Sequence, residues 1–245
     1  MNQVVILAAG KGTRMNSDLP KVLVPLKGEP MIKHLLREVA ASGICARPII
    51  VVSPENQEII KNSLREFNCA YAIQEQQLGT GHAFACSKDL VTAKNKNLIC
   101  FYGDHPFVKK ETIQSLLNSH KSELTMMTVQ LPDFEGWHHN FYHWGRIIRD
   151  RQGKIIEIKE FKDADEETRK ITEVNPSFFC FDSAWFWANV SHLKNDNKQA
   201  EYYLTDMVKL AFDAGLRINT LPIGPHEAMG VNSQEELKIA ESLMN

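Results

Sequence analysis

The chain has 245 residues, 43% of them hydrophobic, which is ample for one α/β core. Its 28 lysines and arginines are balanced by 30 acidic residues, a formal charge of −2, so no overall field attracts nucleic acid or a membrane surface and any anion site must be local. The five cysteines are scattered without a C-x-x-C pair, no basic segment leads into an apolar signal core, and no apolar run reaches about 18 residues; we expect reduced thiols, no membrane span and a cytoplasmic protein.

Residues 4–8, 48–52, 70–73 and 98–102 are short, nearly continuous apolar runs, the pattern of strands buried on both faces. Helical patterns lie between them at 31–41, 56–67 and 83–90. This alternation predicts right-handed crossovers and an α/β fold with a Rossmann-like, mainly parallel central sheet flanked by helices. Ligands in such sheets sit beyond the carboxyl ends of the strands. A further helix is expected at 110–121. Beyond it, 124–131, 146–149, 154–159 and 174–181 read as strands, with a hairpin turn at 151–153. Helices at 184–190 and 204–214, a strand at 217–221 and a helix at 234–244 follow. This second half should extend the sheet and add a smaller substrate-facing β layer.

The loop after the first run, LAAGKGTRMNSDLPK at 7–21, combines Gly10 and Gly12 with Lys11, Arg14 and Lys21. Glycines let backbone N–H groups approach a ligand and the cations supply charge, which suits a polyphosphate. A dinucleotide fingerprint fails because no third glycine follows at the required spacing. A P-loop fails because Gly12 is followed by Thr13 and Arg14 rather than by Lys and Ser or Thr. A strand-to-loop turn, with glycines serving its geometry and cations facing water, is the better reading of the glycines alone; three cations beside them tilt the balance toward a ligand.

LAAGKGTRM followed by LPKVL resembles the signature of the sugar-1-phosphate nucleotidyltransferases. The closest resemblance is to the pyrophosphorylase domain of bacterial N-acetylglucosamine-1-phosphate uridyltransferase. QQLGTGHA at 76–83, YGD at 102–104, GRI at 145–147, EFKDA at 160–164, EYYLTD at 201–206 and GVN at 230–232 occur in that family's order and cover nearly the whole chain. The hexapeptide array of that enzyme's acetyltransferase half does not occur in these residues, so the resemblance implies nucleotidyl transfer alone. It implies one domain across residues 1–245, with a nucleotide-binding half at 1–122 and a sugar-phosphate-binding half at 123–245. The implied partners are a nucleoside triphosphate, expected from the resemblance to be UTP, and a sugar 1-phosphate, with no nucleic acid or membrane and with a homo-oligomer left open.

Joining two anions calls for positioning and electrostatics rather than a covalent intermediate. Arg14 offers a planar fork and Lys21 a compact charge, and the resemblance makes them the catalytic pair. Magnesium takes oxygen ligands, often one or two carboxylates. Asp104, after an apolar strand, suits that role, although an Asx turn is a common use of aspartate there. Asn232 enters as the second Mg2+ ligand by resemblance alone. The resemblance also assigns Leu7, Ala8, Ala9, Gly10, Gly12, Gln77, Thr80 and Gly81 to the nucleotide. Tyr102, Gly103, Gly145, Glu160 and Asn175 are assigned to the sugar.

Departures gather on the sugar side. Asn175, Pro176 and Ser177 stand where the family has asparagine, threonine and glycine, and Trp144 replaces a tyrosine. The stretch GWHHNFYHWG at 136–145 is longer and more aromatic than the family pattern. Its aromatic rings could stack on a sugar face or pack against the protein. His138, His139 and His143 lack the cysteine or carboxylate that would complete a zinc spacing. His82 is expected to support its loop, and EYYLTD to be mainly structural with Tyr203 as a candidate wall. Two alternatives stay open: the same chemistry on another sugar or alcohol phosphate, and a non-catalytic nucleotide-sugar-binding protein.

Overall fold

In the computed structural model, residues 1–10 and 12–244 are described, Thr13 by its backbone only. Lys11, one of the three cations expected at the first loop, lies outside the described residues.

Four parallel strands form one half of a ten-stranded sheet: β1 (Asn2–Leu7), β4 (Ile49–Val52), β5 (Ala70–Ile73) and β6 (Asn97–Tyr102), in the order β5-β4-β1-β6. Between the first two lie a short hairpin, β2 (Pro25–Leu26) and β3 (Glu29–Pro30), and helix α1 (Met31–Ser42). Helices α2 (Gln57–Ser63) and α3 (Thr80–Ala85) follow β4 and β5. The apolar runs are continuous because both sheet faces are covered. Val5, Leu7, Ile49, Val51, Leu98 and Cys100 face one core cluster. Their neighbours Val4, Ile6, Ile50, Val52, Ile99 and Phe101 face another, the alternation that a pleated strand imposes. α1 buries Met31, Ile32, Leu35, Leu36 and Val39, one stripe at helical spacing, and stops at Gly43, whose φ of 70° is left-handed.

After α4 (Lys110–Ser119) the sheet turns mixed. β7 (Leu124–Gln130), β8 (Arg146–Arg149), β9 (Ile155–Lys159), helix α5 (Glu166–Arg169), β10 (Glu173–Val174) and β11 (Phe179–Asp182) follow. β11 runs antiparallel between β6 and β7, β10 pairs antiparallel with β7 and β8, and β8 with β9. Helices α6 (Ser183–Asn189) and α7 (Asp206–Asp213) precede β12 (Ile218–Pro222), which pairs parallel with β7. α8 (Pro225–Ala228) and α9 (Gln234–Leu243) close the described chain, and Ser233 caps α9 by accepting from the Glu236 N–H at 3.2 Å.

The expected mainly parallel α/β sheet is therefore present, with one strand redrawn. Residues 174–181 do not form one strand. Pro176 cannot donate to a ladder, the Asn175 side chain accepts from the Ser177 N–H at 2.9 Å, and Ser177 adopts φ 63°, so the chain turns and leaves for a different neighbour. The helices expected at 56–67 and 83–90 are also shorter, and the second begins earlier, at Thr80.

Residues 136–141 form a 3-10 helix that is packed down. Phe141 is fully buried, with Trp137 and Trp144 at 5.8 and 4.7 Å between ring centroids. Arg146 anchors this segment through backbone carbonyls, with no carboxylate partner among the described residues. Its guanidinium donates to the carbonyls of Trp144, of Tyr142 at 2.8 Å and of Arg169 at 3.1 and 3.2 Å, and lies 4.6 Å from the Phe134 ring centroid. Burial pushes its pKa down to about 10, so it remains a cation at neutral pH.

Replacing Arg146 with Met strands three carbonyls, and we expect unfolding free energy in urea to fall by about 3 kcal/mol, with Lys restoring only part because it lacks the planar fork. A second expectation concerns Asp206 at the start of α7. Burial above all, then Asp196, Asp163 and Glu157, push its pKa up to about 6. A folded pKa above the unfolded value, roughly 3.9, gives stability that is full below pH 4 and lost as pH rises through 6. Asp206→Asn should therefore raise the unfolding free energy at pH 7.5 by on the order of 1 kcal/mol after solvent screening, and with it the melting temperature, and flatten the profile between pH 4 and 6.

Candidate functional site

Because β1, β4, β5 and β6 are parallel, their carboxyl ends share one edge, with Leu7 registered on Tyr102 and Val52 on Ile73. Two cavities open there. The larger, about 690 Å³, is lined by Leu7, Ala8, Ala9, Gly10, Gln77 and Thr80 among others. The smaller, about 370 Å³, is lined by Arg14, Gly145, Glu160, Asn175 and Asn232, together with Trp144, His143 and Asn140 from the aromatic segment. Lys21, Thr80, Tyr102 and Asp104 line both.

At that shared boundary the Lys21 ammonium pairs with Asp104 and donates to Asn232 Oδ1 at 3.0 Å. Asp104 is buried, and its other oxygen meets His105 Nδ1 at 3.1 Å. Burial alone would raise the Asp104 carboxyl, but Lys21 and His105 outweigh it and hold the group well below the usual carboxylate range. It is ionised at neutral pH. Lys21 is seated by Gly12, whose φ is 61° and where any Cβ would fall 2.6 Å from Lys21 Cβ. Asn232 is held through its backbone, since its N–H donates to Glu236 on α9, and the neighbouring Val231 N–H donates to the Asp104 carbonyl at 2.9 Å.

The second loop is held from behind. Gly79, at φ 105°, approaches Tyr202 so closely that a Cβ would lie 2.6 Å from its carbonyl oxygen. The Gly81 N–H donates to that carbonyl at 2.8 Å, and Tyr202 N–H donates to the Leu78 carbonyl at 2.8 Å. Thr80 Oγ1 accepts from Leu204 N–H at 3.0 Å, and Thr205 Oγ1 donates to Glu160 at 2.9 Å. The EYYLTD segment is thus a backbone clamp on this loop. Tyr203 lines a separate acidic cleft and accepts from Gln199 at 2.7 Å. Gln77 donates its amide to the Ala9 carbonyl at 2.7 Å, joining the two loops. Burial above all, with Asp206, Asp163 and Glu201 nearby and Thr205 opposing, raises the Glu160 pKa.

Gly12, Gly81 and Gly103 do not line these two cavities; they seat Lys21, the second loop and the turn after β6. Sequence reasoning missed Gln74, His105 and Asn140. Gln74 is buried and donates to the Gly79 carbonyl at 3.1 Å while facing His82 Nδ1 at 3.1 Å, which explains the supporting role expected of His82. His105 carried one signal, its position directly after Asp104. His138 bonds Asp133, His139 stacks on Tyr142, and His143 packs on Phe161. Among the described residues no group of three or more His, Cys, Asp or Glu side chains is placed to hold a metal, and no helix is long and apolar enough to cross a membrane.

A 2.76 Å crystal structure from Bacillus anthracis, provisionally named a glucose-1-phosphate thymidylyltransferase, shares the fold with a TM-score of 0.76, at 20% identity over 99% of this chain and 95% of that one. A Clostridium botulinum Loch Maree protein named "Bifunctional protein GlmU" is 37% identical over 99% of this chain and 52% of its own length. Its namesake from Brevibacillus brevis is 38% identical over 98% and 51%. The chain thus spans about half the length of the curated relatives it matches. The profile described as the MobA-like NTP transferase domain matches residues 4–169, and the chain belongs to that family.

Proposed function

We propose that the chain transfers a uridylyl group from UTP to N-acetylglucosamine 1-phosphate, releasing pyrophosphate and forming UDP-N-acetylglucosamine. The observation that carries this reading is the meeting of two cavities at the Lys21–Asp104 pair, an arrangement suited to holding two anionic substrates on either side of one charged boundary. The motif resemblance supports the choice of substrates.

In this reading the sugar phosphate oxygen attacks the α-phosphorus and pyrophosphate departs. Arg14, exposed at the rim of the smaller cavity, presents its fork to phosphate oxygens. Lys21 places a positive charge where the two cavities meet, neutralising charge as it develops. The larger cavity takes the nucleotide, with the base against Ala8, Ala9, Gly10 and Gln77; the smaller takes the sugar, with Glu160 accepting from a hydroxyl. Asp104 and Asn232 would hold Mg2+. Their fit rests on two hard oxygens converging on one point that the Lys21 ammonium now fills, a donor set suited to a hard cation. When bound, the ion would screen the triphosphate against the incoming phosphate. The same chemistry on another sugar or alcohol phosphate is the second reading, favoured by the aromatic wall and by the engagement of the Asn175 amide with Ser177.

Pyrophosphate release should be rapid with Mg2+, UTP and N-acetylglucosamine 1-phosphate, slower with other triphosphates and sugar phosphates, and abolished by EDTA until Mg2+ is restored. Arg14→Ala should lower kcat/KM about 100-fold with unchanged melting. Lys21→Ala should lower it as much and also reduce stability, because Asp104 loses its partner, so its rate is to be read where circular dichroism shows folded protein. Near-normal rates in both variants would sink these roles. Release only with a different acceptor would select the second reading.

A further inference from the structure

The sugar-side cavity holds two asparagine amides from the aromatic wall and the β10–β11 turn, and they differ in what they already do. Asn175 is buried, and both ends of its amide are engaged: Oδ1 accepts from the Ser177 N–H at 2.9 Å and Nδ2 donates to Ser177 Oγ at 3.2 Å. Its amide serves the turn that Pro176 and Ser177 require. Asn140 lines the same cavity from the 3-10 helix, and its Nδ2 is shielded from solvent with no hydrogen-bond partner among the described residues. A buried donor without an acceptor is costly, and native proteins leave few of them. The terminal torsion of an asparagine is soft, so the amide can turn toward an acceptor that enters the cavity.

The backbone that carries Asn140 is fixed. Phe141, the next residue, is fully buried between Trp137 and Trp144, and Arg146 ties the carbonyls of Tyr142 and Trp144 to that of Arg169. A recognition group on such a wall keeps its position without substrate, the condition under which one hydrogen bond discriminates between ligands.

We propose that Asn140 is a specificity-determining residue for the acceptor: its amide donates to a neutral oxygen of the sugar, a ring hydroxyl or an acyl carbonyl. This rests on the reading of the smaller cavity as the sugar-phosphate side.

The test is calorimetric titration, in the presence of Mg2+ and α,β-methylene UTP, of N-acetylglucosamine 1-phosphate, glucosamine 1-phosphate, glucose 1-phosphate and its 2-, 3-, 4- and 6-deoxy analogues. Each is titrated into the native protein, Asn140→Ala and Asn140→Asp, with melting curves for all three. Asn140→Ala should weaken binding about tenfold for sugars that carry the accepted oxygen and by less than twofold for the analogue that lacks it; Asp, which accepts but does not donate, should not restore binding. The analogue that escapes the penalty tells a ring hydroxyl from an acyl carbonyl. Equal affinity in native and variant proteins overturns the proposal, as does a uniform loss across all analogues, the mark of a structural role. If the native protein binds no sugar 1-phosphate, this inference and the proposed function fall together. If binding shows the Asn140-dependent pattern but no pyrophosphate is released with UTP, only the transfer reaction falls.

Discussion

A carboxylate taken out of water must be compensated, and the structure depends on how Asp104 meets that requirement. Its compensation comes from the Lys21 ammonium on one oxygen and the His105 ring on the other. Lys21 reaches it from the 3-10 turn that precedes β2, and the same ammonium holds Asn232, which is 211 positions away in the chain. Three remote segments are thereby fixed relative to one another by one buried charge. The constraint spreads outward. Gly12 has to be glycine for Lys21 to sit where it does, and Gly230 packs so closely on His105 that a Cβ there would lie 2.8 Å from Nε2. These packing demands give the first-loop and GVN motifs a physical reason to contain glycine.

The order of the elements follows from the second constraint, a sheet buried on both faces. Parallel pairing of β1, β4, β5 and β6 collects their carboxyl ends at one edge, so loops distant in sequence become neighbours without special contacts. Small local choices then give those loops fixed shapes. Gln77 ties the second loop to the first through the Ala9 carbonyl, Gln74 ties it to its own end, and Tyr202 clamps it through two backbone bonds.

Such constraints separate what the sequence discloses from what it does not. The four parallel strands were legible because double burial leaves an uninterrupted apolar run, and the first loop stood out because Gly10 and Gly12 fall among cations at the end of the first such run. The split of 174–181 was hidden, since Val174 and Phe178 to Phe181 are all buried and read as one strand; only the turn chemistry of Asn175, Pro176 and Ser177 shows the break. The aromatic segment was legible as unusual but not as ordered. Its order depends on Arg146 finding three backbone carbonyls, and no sequence pattern encodes a guanidinium paired with carbonyls rather than with a carboxylate. Lys21 and Asp104 could be named as charged candidates, yet their direct pairing belongs to tertiary geometry, as does the clamping role of Tyr202.

The two sides of the site have largely separate supports, joined where Thr205 of the clamp donates to Glu160 in the smaller cavity at 2.9 Å. On the larger cavity the walls are loops held by the clamp from residues 201–205 and by Gln74 and Gln77. On the smaller cavity the wall is a 3-10 helix held by Arg146 and by rings packed into a third core cluster with Met15, Val24 and Val129. They share Lys21, Thr80, Tyr102 and Asp104; charge pairing fixes Lys21 and Asp104, the β1–β6 register fixes Tyr102, and the Leu204 N–H of the clamp holds Thr80. Substitution in the aromatic wall away from Trp144 can therefore reshape the smaller cavity with little effect on the larger one, whereas Trp144 packs on the His105 ring at 5.8 Å between centroids and so couples to Asp104. The coupling between this wall and the buried charge runs through the His105 ring, so the positions of the wall remote from that ring are where change costs the charged boundary least.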